Sequence, residues 1–127
     1  MIKDEIQGTK SLLQKVIEGI EEKKGKDIVR IHIGLNDNSI SDYFVICHGT
    51  SKTQVEAIAD SVVDTVRNEI AQKPWHIEGY ENSEWILIDY VDVVVHVFEE
   101  SKRSFYKLEE LWGDSEIEYL ETKYESE

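Results

Sequence analysis

The sequence predicts an α+β or α/β fold, with a mixed sheet of about five strands carrying two main helices. Two long stretches repeat apolar side chains at helical spacing, and five shorter ones are apolar or alternate as strands do. Their order, α-β-β-α-β-β-β-α, mixes the two kinds within 127 residues, a length that suits one domain.

The first helix is expected over Thr9–Lys24, where Leu12, Leu13, Val16, Ile17 and Ile20 make one apolar stripe and Gly25 can end the helix. Asp27–Gly34 alternates: Val29, Ile31 and Ile33 point one way, Ile28, Arg30 and His32 the other. The polar run Asn36-Asp37-Asn38-Ser39 is a turn, and Asp42–His48 is a second strand that suits antiparallel pairing with the first. Ser51-Lys52-Thr53-Gln54 matches a capping box for a helix running to about Gln72. Its buried face is Val55, Ile58, Ala59, Val62, Val63, Val66 and Ile70; Glu56, Asp60 and Asp64 line the wet side. After Pro74 come strands at His76–Tyr80, Trp85–Tyr90 and Asp92–Phe98, then a short helical turn over Ser101–Trp112. Residues 113–127 hold six acids and one Lys, and are expected to be a weak amphipathic helix or frayed. The expected division is a domain over 1–114 and an acidic tail over 115–127. Two helices can cover one sheet face and leave the other partly open.

Charge narrows the function. With 27 Asp and Glu against 14 Lys and Arg, the net charge is −13. That argues against gripping nucleic-acid phosphates, which needs clustered cations, and favours a basic partner. No apolar run approaches the ~20 residues of a membrane span, and Met1-Ile2-Lys3-Asp4-Glu5 does not read as a signal or transit peptide. A single cysteine, Cys47, excludes an internal disulfide and fits a reducing compartment. A cytoplasmic protein is expected.

Candidate chemistry is sparse. His32, His48, His76 and His96 fall on four different strands without the local pairing of a zinc site, so they are expected to be structural and no cofactor is expected. Cys47 sits in an apolar run, where a thiol is buried and inert. Gly49-Thr50-Ser51 between a strand and a helix could cradle a phosphate, with Asp89 as the acid of a nucleotidyltransferase-like enzyme. The simpler reading is a turn and a cap. Trp85, Leu87 and Asp89 share one strand face, opposite Ile86 and Ile88. If the isoleucines meet the helices, Trp85 lies on the uncovered face beside an apolar residue and an acid, as binding hot spots do. In the reverse orientation Trp85 is core. Pattern alone leaves both open.

Several ordered motifs, spanning about residues 9–114, carry a family resemblance. They are Asp42-Tyr43-Phe44-Val45-Ile46-Cys47-His48-Gly49-Thr50-Ser51, Trp85-Ile86-Leu87-Ile88-Asp89-Tyr90, Asp92-Val93-Val94-Val95-His96-Val97-Phe98 and Arg103-Ser104-Phe105-Tyr106-Lys107-Leu108-Glu109-Glu110-Leu111-Trp112. The chain resembles the ribosomal silencing factor (Iojap) family. The resemblance implies a nucleotidyltransferase-like fold without the catalytic carboxylates, and hence a protein that is not an enzyme. It implies binding to the large ribosomal subunit through the ribosomal protein numbered fourteen, which blocks joining of the small subunit and quiets translation when nutrients run short. The implied contact is Trp85, Leu87, Asp89, Tyr90 and Asp92. Direct gripping of nucleic acid and a membrane role are not expected, and the free protein could be a homodimer. An adaptor that holds another factor on the ribosome is a third reading. Two features depart from the family pattern: Val91 stands where glycine is usual, and the acidic tail after Asp114 lies outside it.

Overall fold

A computed structural model describes residues 2–33, 43–106 and 116–120. In chain order the elements are α1 (Ile2–Glu22), β1 (Lys26–His32), β2 (Tyr43–Gly49), α2 (Lys52–Ile70), β3 (His76–Glu78), β4 (Trp85–Asp89), β5 (Val93–Glu99), α3 (Glu100–Tyr106) and β6 (Glu116–Tyr119). The strands form one six-stranded mixed sheet in the order β3-β4-β5-β2-β1-β6. Among the described strands only β2 and β5 run parallel, in register from Tyr43↔Val93 to Gly49↔Glu99; the other pairings are antiparallel.

α1 and α2 pack on one face of this sheet. Leu12, Leu13, Val16 and Ile20 from α1 meet Val55, Ile58, Ala59, Val62 and Val66 from α2 over Val45, Cys47, Ile86, Ile88, Val95 and Val97. The helices touch closely at Gly19. A Cβ there would lie 2.8 Å from the Val62 Cα, and the Ser61 hydroxyl donates to the Gly19 carbonyl at 2.7 Å. Of the stripe expected for α2, Val55, Ile58, Ala59, Val62 and Val66 are buried and Val63 and Ile70 partly so, while Glu56, Asp60 and Asp64 are exposed.

The ends of the two helices are tied by one side chain. Ser51 Oγ accepts the Gln54 N–H at 3.1 Å, half of the expected capping box. Gln54 Oε1 reaches one residue further back than such a box does, accepting from the Thr50 N–H at 2.7 Å. Its Nε2 donates to the Lys23 and Lys24 carbonyls at 3.2 Å, just past the end of α1. Lys24 rather than Gly25 takes the left-handed turn there, at φ 60°, and the Gly25 N–H donates to the Ile20 carbonyl at 2.9 Å.

Three expectations are corrected. First, α1 begins at Ile2, about two turns ahead of Thr9. Second, the face away from the helices is largely closed, with Trp85, Leu87 and Asp89 left partly exposed. Val29, Ile31, Ile46 and Phe98 are each 1% exposed or less and form a second cluster, with Ile33, Phe44, Trp85 and Ile117 packed against it. Third, part of the acidic segment is neither helix nor frayed. Glu116–Tyr119 is a strand on β1, with Ile117 opposite Ile31 and Glu118 opposite Arg30, and those last two form an ion pair. With that strand the sheet counts six among the described residues, close to the five or so expected. The turn at Asn36–Ser39 and the residues from Lys107 to Trp112 lie outside the described residues.

The β4–β5 turn holds Val91 at φ 78° and 63% exposed. A β-branched residue is strained there, whereas glycine is not. Val91→Gly is therefore expected to raise folding stability, by about 1 kcal/mol once the entropy glycine adds to the unfolded chain is set against the strain removed. Urea unfolding measures it; an unchanged or lower midpoint would mean that the turn holds valine without strain.

Candidate functional site

β4 is five residues long and alternates as the sequence predicts. Ile86 and Ile88 are fully buried under the helices, and Trp85, Leu87 and Asp89 point to the other side, each partly exposed. Register places Trp85 opposite Phe98, Leu87 opposite His96 and Asp89 opposite Val94. The Trp85 ring stacks on Phe98 with centroids 5.0 Å apart, and its Nε1–H donates to His96 Nδ1 at 3.1 Å. Phe44 meets the same imidazole edge-on at 4.8 Å. Trp85 is thus neither a core residue of the helix face nor a free-standing exposed ring. It is a half-buried indole locked at the margin of the second cluster.

Gly79 sets the chain path beside it. At φ 102°, with a Cβ position only 2.0 Å from the Trp85 carbonyl, no other residue fits there without moving β4.

Asp89 and Asp92 lie at the far end of β4 and shape the turn. Asp89 Oδ1 accepts the Val91 N–H at 2.7 Å, and the Asp92 carbonyl accepts the Tyr43 N–H at 2.9 Å, which starts β2. Asp92 is exposed, and its carboxylate accepts a long bond from Thr9 Oγ1 at 3.5 Å. Tyr90 must be corrected as a surface residue. It continues the inward parity of Ile86 and Ile88, is 3% exposed, and packs in the helix-face core, where burial raises its phenol pKa to about 12. The structure therefore gathers Trp85, Leu87 and Asp89 on one face, puts Asp92 at its end, and takes the Tyr90 ring out.

The enzyme alternative does not assemble. Gly49 ends β2, level with Glu99, and Ser51 follows it, whereas Asp89 is level with Val94. Five residues of strand separate those levels, roughly 17 Å at ~3.3 Å per residue. The helix N-terminus is also occupied from within, by Ser51 and Gln54. Among the described residues no three His, Cys, Asp or Glu side chains come together as metal ligands. Cys47 is wholly buried and its thiol is pushed up to about 12 by desolvation, as an inert thiol should be.

Two of the histidines are structural. His48 Nδ1 faces Arg103 Nη1 at 3.0 Å; since the guanidinium can only donate, the imidazole accepts and is neutral. Burial first, then Arg103, lowers its pKa. The same guanidinium donates to the Asp27 carbonyl at 2.6 Å, tying α3 to the start of β1. His96 is 4% exposed and burial lowers its pKa to about 4, against a smaller opposing effect of Asp89. One aromatic stands outside all this. Trp75, 76% exposed ahead of β3, has no role in the sequence pattern; a Pro-Trp pair leading into an edge strand was its only signal.

The ribosomal silencing factor family model, "Ribosomal silencing factor during starvation", matches residues 6–127. The chain belongs to this family. The match takes in the acidic segment after Asp114, which the motif pattern had left outside. The chain is 42% identical over 111 residues to the ribosomal silencing factor RsfS of Halalkalibacterium halodurans, covering 87% of this chain and 92% of that one. A crystal structure of a Chromobacterium violaceum protein superposes with a TM-score of 0.75 at 31% identity, covering 90% of this chain and 94% of that one. A mouse protein named for mitochondrial assembly of the ribosomal large subunit is 27% identical over 107 residues, 83% of this chain and 46% of its own length. No helix among the described residues is long and apolar enough to cross a membrane.

The buried neutral imidazole of His96 has a consequence in acid. Its folded pKa lies below the unfolded value of 6.5, so the unfolded chain binds more protons between pH 6.5 and 4, and stability falls as pH falls through that window. The full effect is on the order of 3 kcal/mol at 1.36 kcal/mol per pKa unit. His96→Gln keeps an acceptor for the indole but does not titrate, so its stability should fall less from pH 6.5 to 4. Urea unfolding at several pH values is the measurement; equal slopes for both proteins would show that His96 protonates normally in the fold.

Proposed function

We propose that this protein binds the large ribosomal subunit through a basic ribosomal protein, the one numbered fourteen, and keeps the small subunit from joining by occupying the space it would take. Translation is thereby quieted when nutrients are short. The mechanism needs no bond chemistry, so the protein acts as a regulator and not as an enzyme, in the cytoplasm, with homodimerisation open to it when free. Membership of the ribosomal silencing factor family supports the ribosome as target, and the name of the mouse relative points to the large subunit.

The observation that carries the proposal is the Trp85 face. A half-buried aromatic, held by Phe98 and His96, stands beside Leu87 and Asp89 on a sheet surface. Locking the ring in the free protein reduces the entropy lost on binding. Central aromatic anchors of this kind dominate interface energetics. Asp89 and Asp92 add negative charge at the end of the strand, and the chain as a whole carries −13. Both favour encounter with a basic surface and repel ribosomal RNA. Tyr90 contributes from beneath, as packing that fixes the end of β4.

Trp85→Ala should weaken binding to purified large subunits by on the order of 2 kcal/mol, roughly thirtyfold. Co-sedimentation across a concentration series reads this directly. Because Trp85 also packs on Phe98, the variant's melting curve must be taken alongside. A folded Trp85→Ala protein that binds as well as the parent would remove this face from the interface.

A further inference from the structure

The pairing of β3 with β4 extends the Trp85 face by one strand. Glu78 lies directly across from Leu87, and His76 across from Asp89. Cross-strand partners share a face, so both side chains project away from the helices, on the side of Trp85, Leu87 and Asp89. β3 is the outermost described strand on that side of the sheet, and the Glu78 side chain is 65% exposed at its margin. Val94 of β5, level with Asp89 and partly exposed, borders the same surface from within.

This register puts Leu87 between two carboxylates. Glu78 is its cross-strand neighbour, and Asp89 is the next residue of β4 on the same face. Glu78 and Asp89 are then diagonal neighbours, about 7–8 Å apart and within reach of one long side chain. Each has one oxygen engaged. The His76 Nε2–H donates to Glu78 Oε2 at 2.7 Å, which ties that side chain to its own strand, and the Val91 N–H donates to Asp89 Oδ1 at 2.7 Å. Among the described residues, Glu78 Oε1 and Asp89 Oδ2 take no hydrogen bond. β3, β4 and β5 contain no lysine or arginine that would neutralise the pair.

We infer that Glu78 is a contact residue of the Trp85 face and that, with Asp89, it receives one lysine or arginine side chain of the large-subunit protein. Such a side chain lays its methylene stem on an apolar floor, here Leu87 beside the Trp85 indole, and carries its charged head to the two free carboxylate oxygens. The chain's net charge of −13 favours the approach of that partner. Nucleic acid does not fit, because its phosphates would meet both acids. A metal ion does not fit either, because among the described residues no three His, Cys, Asp or Glu side chains come together as ligands. The inference rests on the large subunit being the target and on the Trp85 face being what meets it.

The test measures co-sedimentation with purified large subunits for Glu78→Gln, Glu78→Lys, Trp85→Ala and, as a control for overall charge, Glu22→Lys. Glu22 is exposed at the end of α1, on the other side of the sheet. Melting curves serve as the control for folding. Glu78→Gln keeps an acceptor for His76 and should weaken binding about tenfold, the loss shrinking as added salt screens the parent's contact. Glu78→Lys should weaken binding further and Glu22→Lys hardly at all, with the melting temperatures of these three variants near the parent's. If Trp85→Ala binds poorly while both Glu78 variants bind as the parent does, Glu78 is no contact, and the inference fails with the proposed function intact. If Glu78→Lys and Glu22→Lys weaken binding equally, the effect belongs to the chain's overall charge and the inference fails. If none of the variants weakens binding, the proposed function falls with it.

Discussion

The parallel pairing of β2 with β5 is the constraint from which the rest follows. Two parallel neighbours cannot be joined by a hairpin; the chain must cross over, and parallel strands are stable mainly when covered on both faces. α2 together with the β3–β4 hairpin makes that crossover. The seven-residue register buries Val45 and Cys47 with Val95 and Val97 beneath the helices, and Ile46 with Phe98 on the other side. β1 and β4 add on antiparallel at either side of this pair, and the edge strands β6 and β3 complete the sheet. Because β5 is internal, His96 and Phe98 are buried, and their packing is what holds Trp85 at the neighbouring strand.

The two faces of the sheet divide the work. The helix face is mostly aliphatic, built of valines, isoleucines and leucines with the buried Tyr90 ring among them. The other face is aromatic around Phe44, Trp85, His96 and Phe98, and the hydrogen bond from Trp85 to His96 orients the indole. The price is a buried imidazole whose Nε2 finds no hydrogen-bond partner among the described residues. A leucine or valine in its place would pack as well but would leave the indole N–H without its acceptor. That polar pair helps turn an ordinary sheet face into one with a fixed aromatic.

Much of this was legible in the sequence, for reasons that can be stated. Strand alternation assigned Ile86 and Ile88 to one side and Trp85, Leu87 and Asp89 to the other, because a period of two survives any tertiary context. The helical period found the buried stripe of α2, and Ser51 with Gln54 marked its start. Other elements depended on partners far along the chain. β6 offers only Ile117 as an inward apolar residue between two glutamates, which reads locally as a solvated tail; what makes it a strand is the β1 edge and its Arg30. The coverage of the second face was equally non-local. Tyr90 is a different lesson. The family pattern drew it toward the surface, yet its parity with Ile86 and Ile88 already placed it inside.

The Gln54 amide links two regions that are 30 residues apart in sequence. It accepts from the Thr50 amide at the start of α2 and donates to the carbonyls of Lys23 and Lys24 that follow α1. Helix ends elsewhere fray independently, each opening and closing on its own schedule. Here neither end can loosen without breaking bonds at the other. The segments Lys23–Gly25 and Thr50–Gln54 therefore behave as one exchange unit. Slow hydrogen exchange at this shared joint would belong to a long-range foldon formed by the tops of both helices.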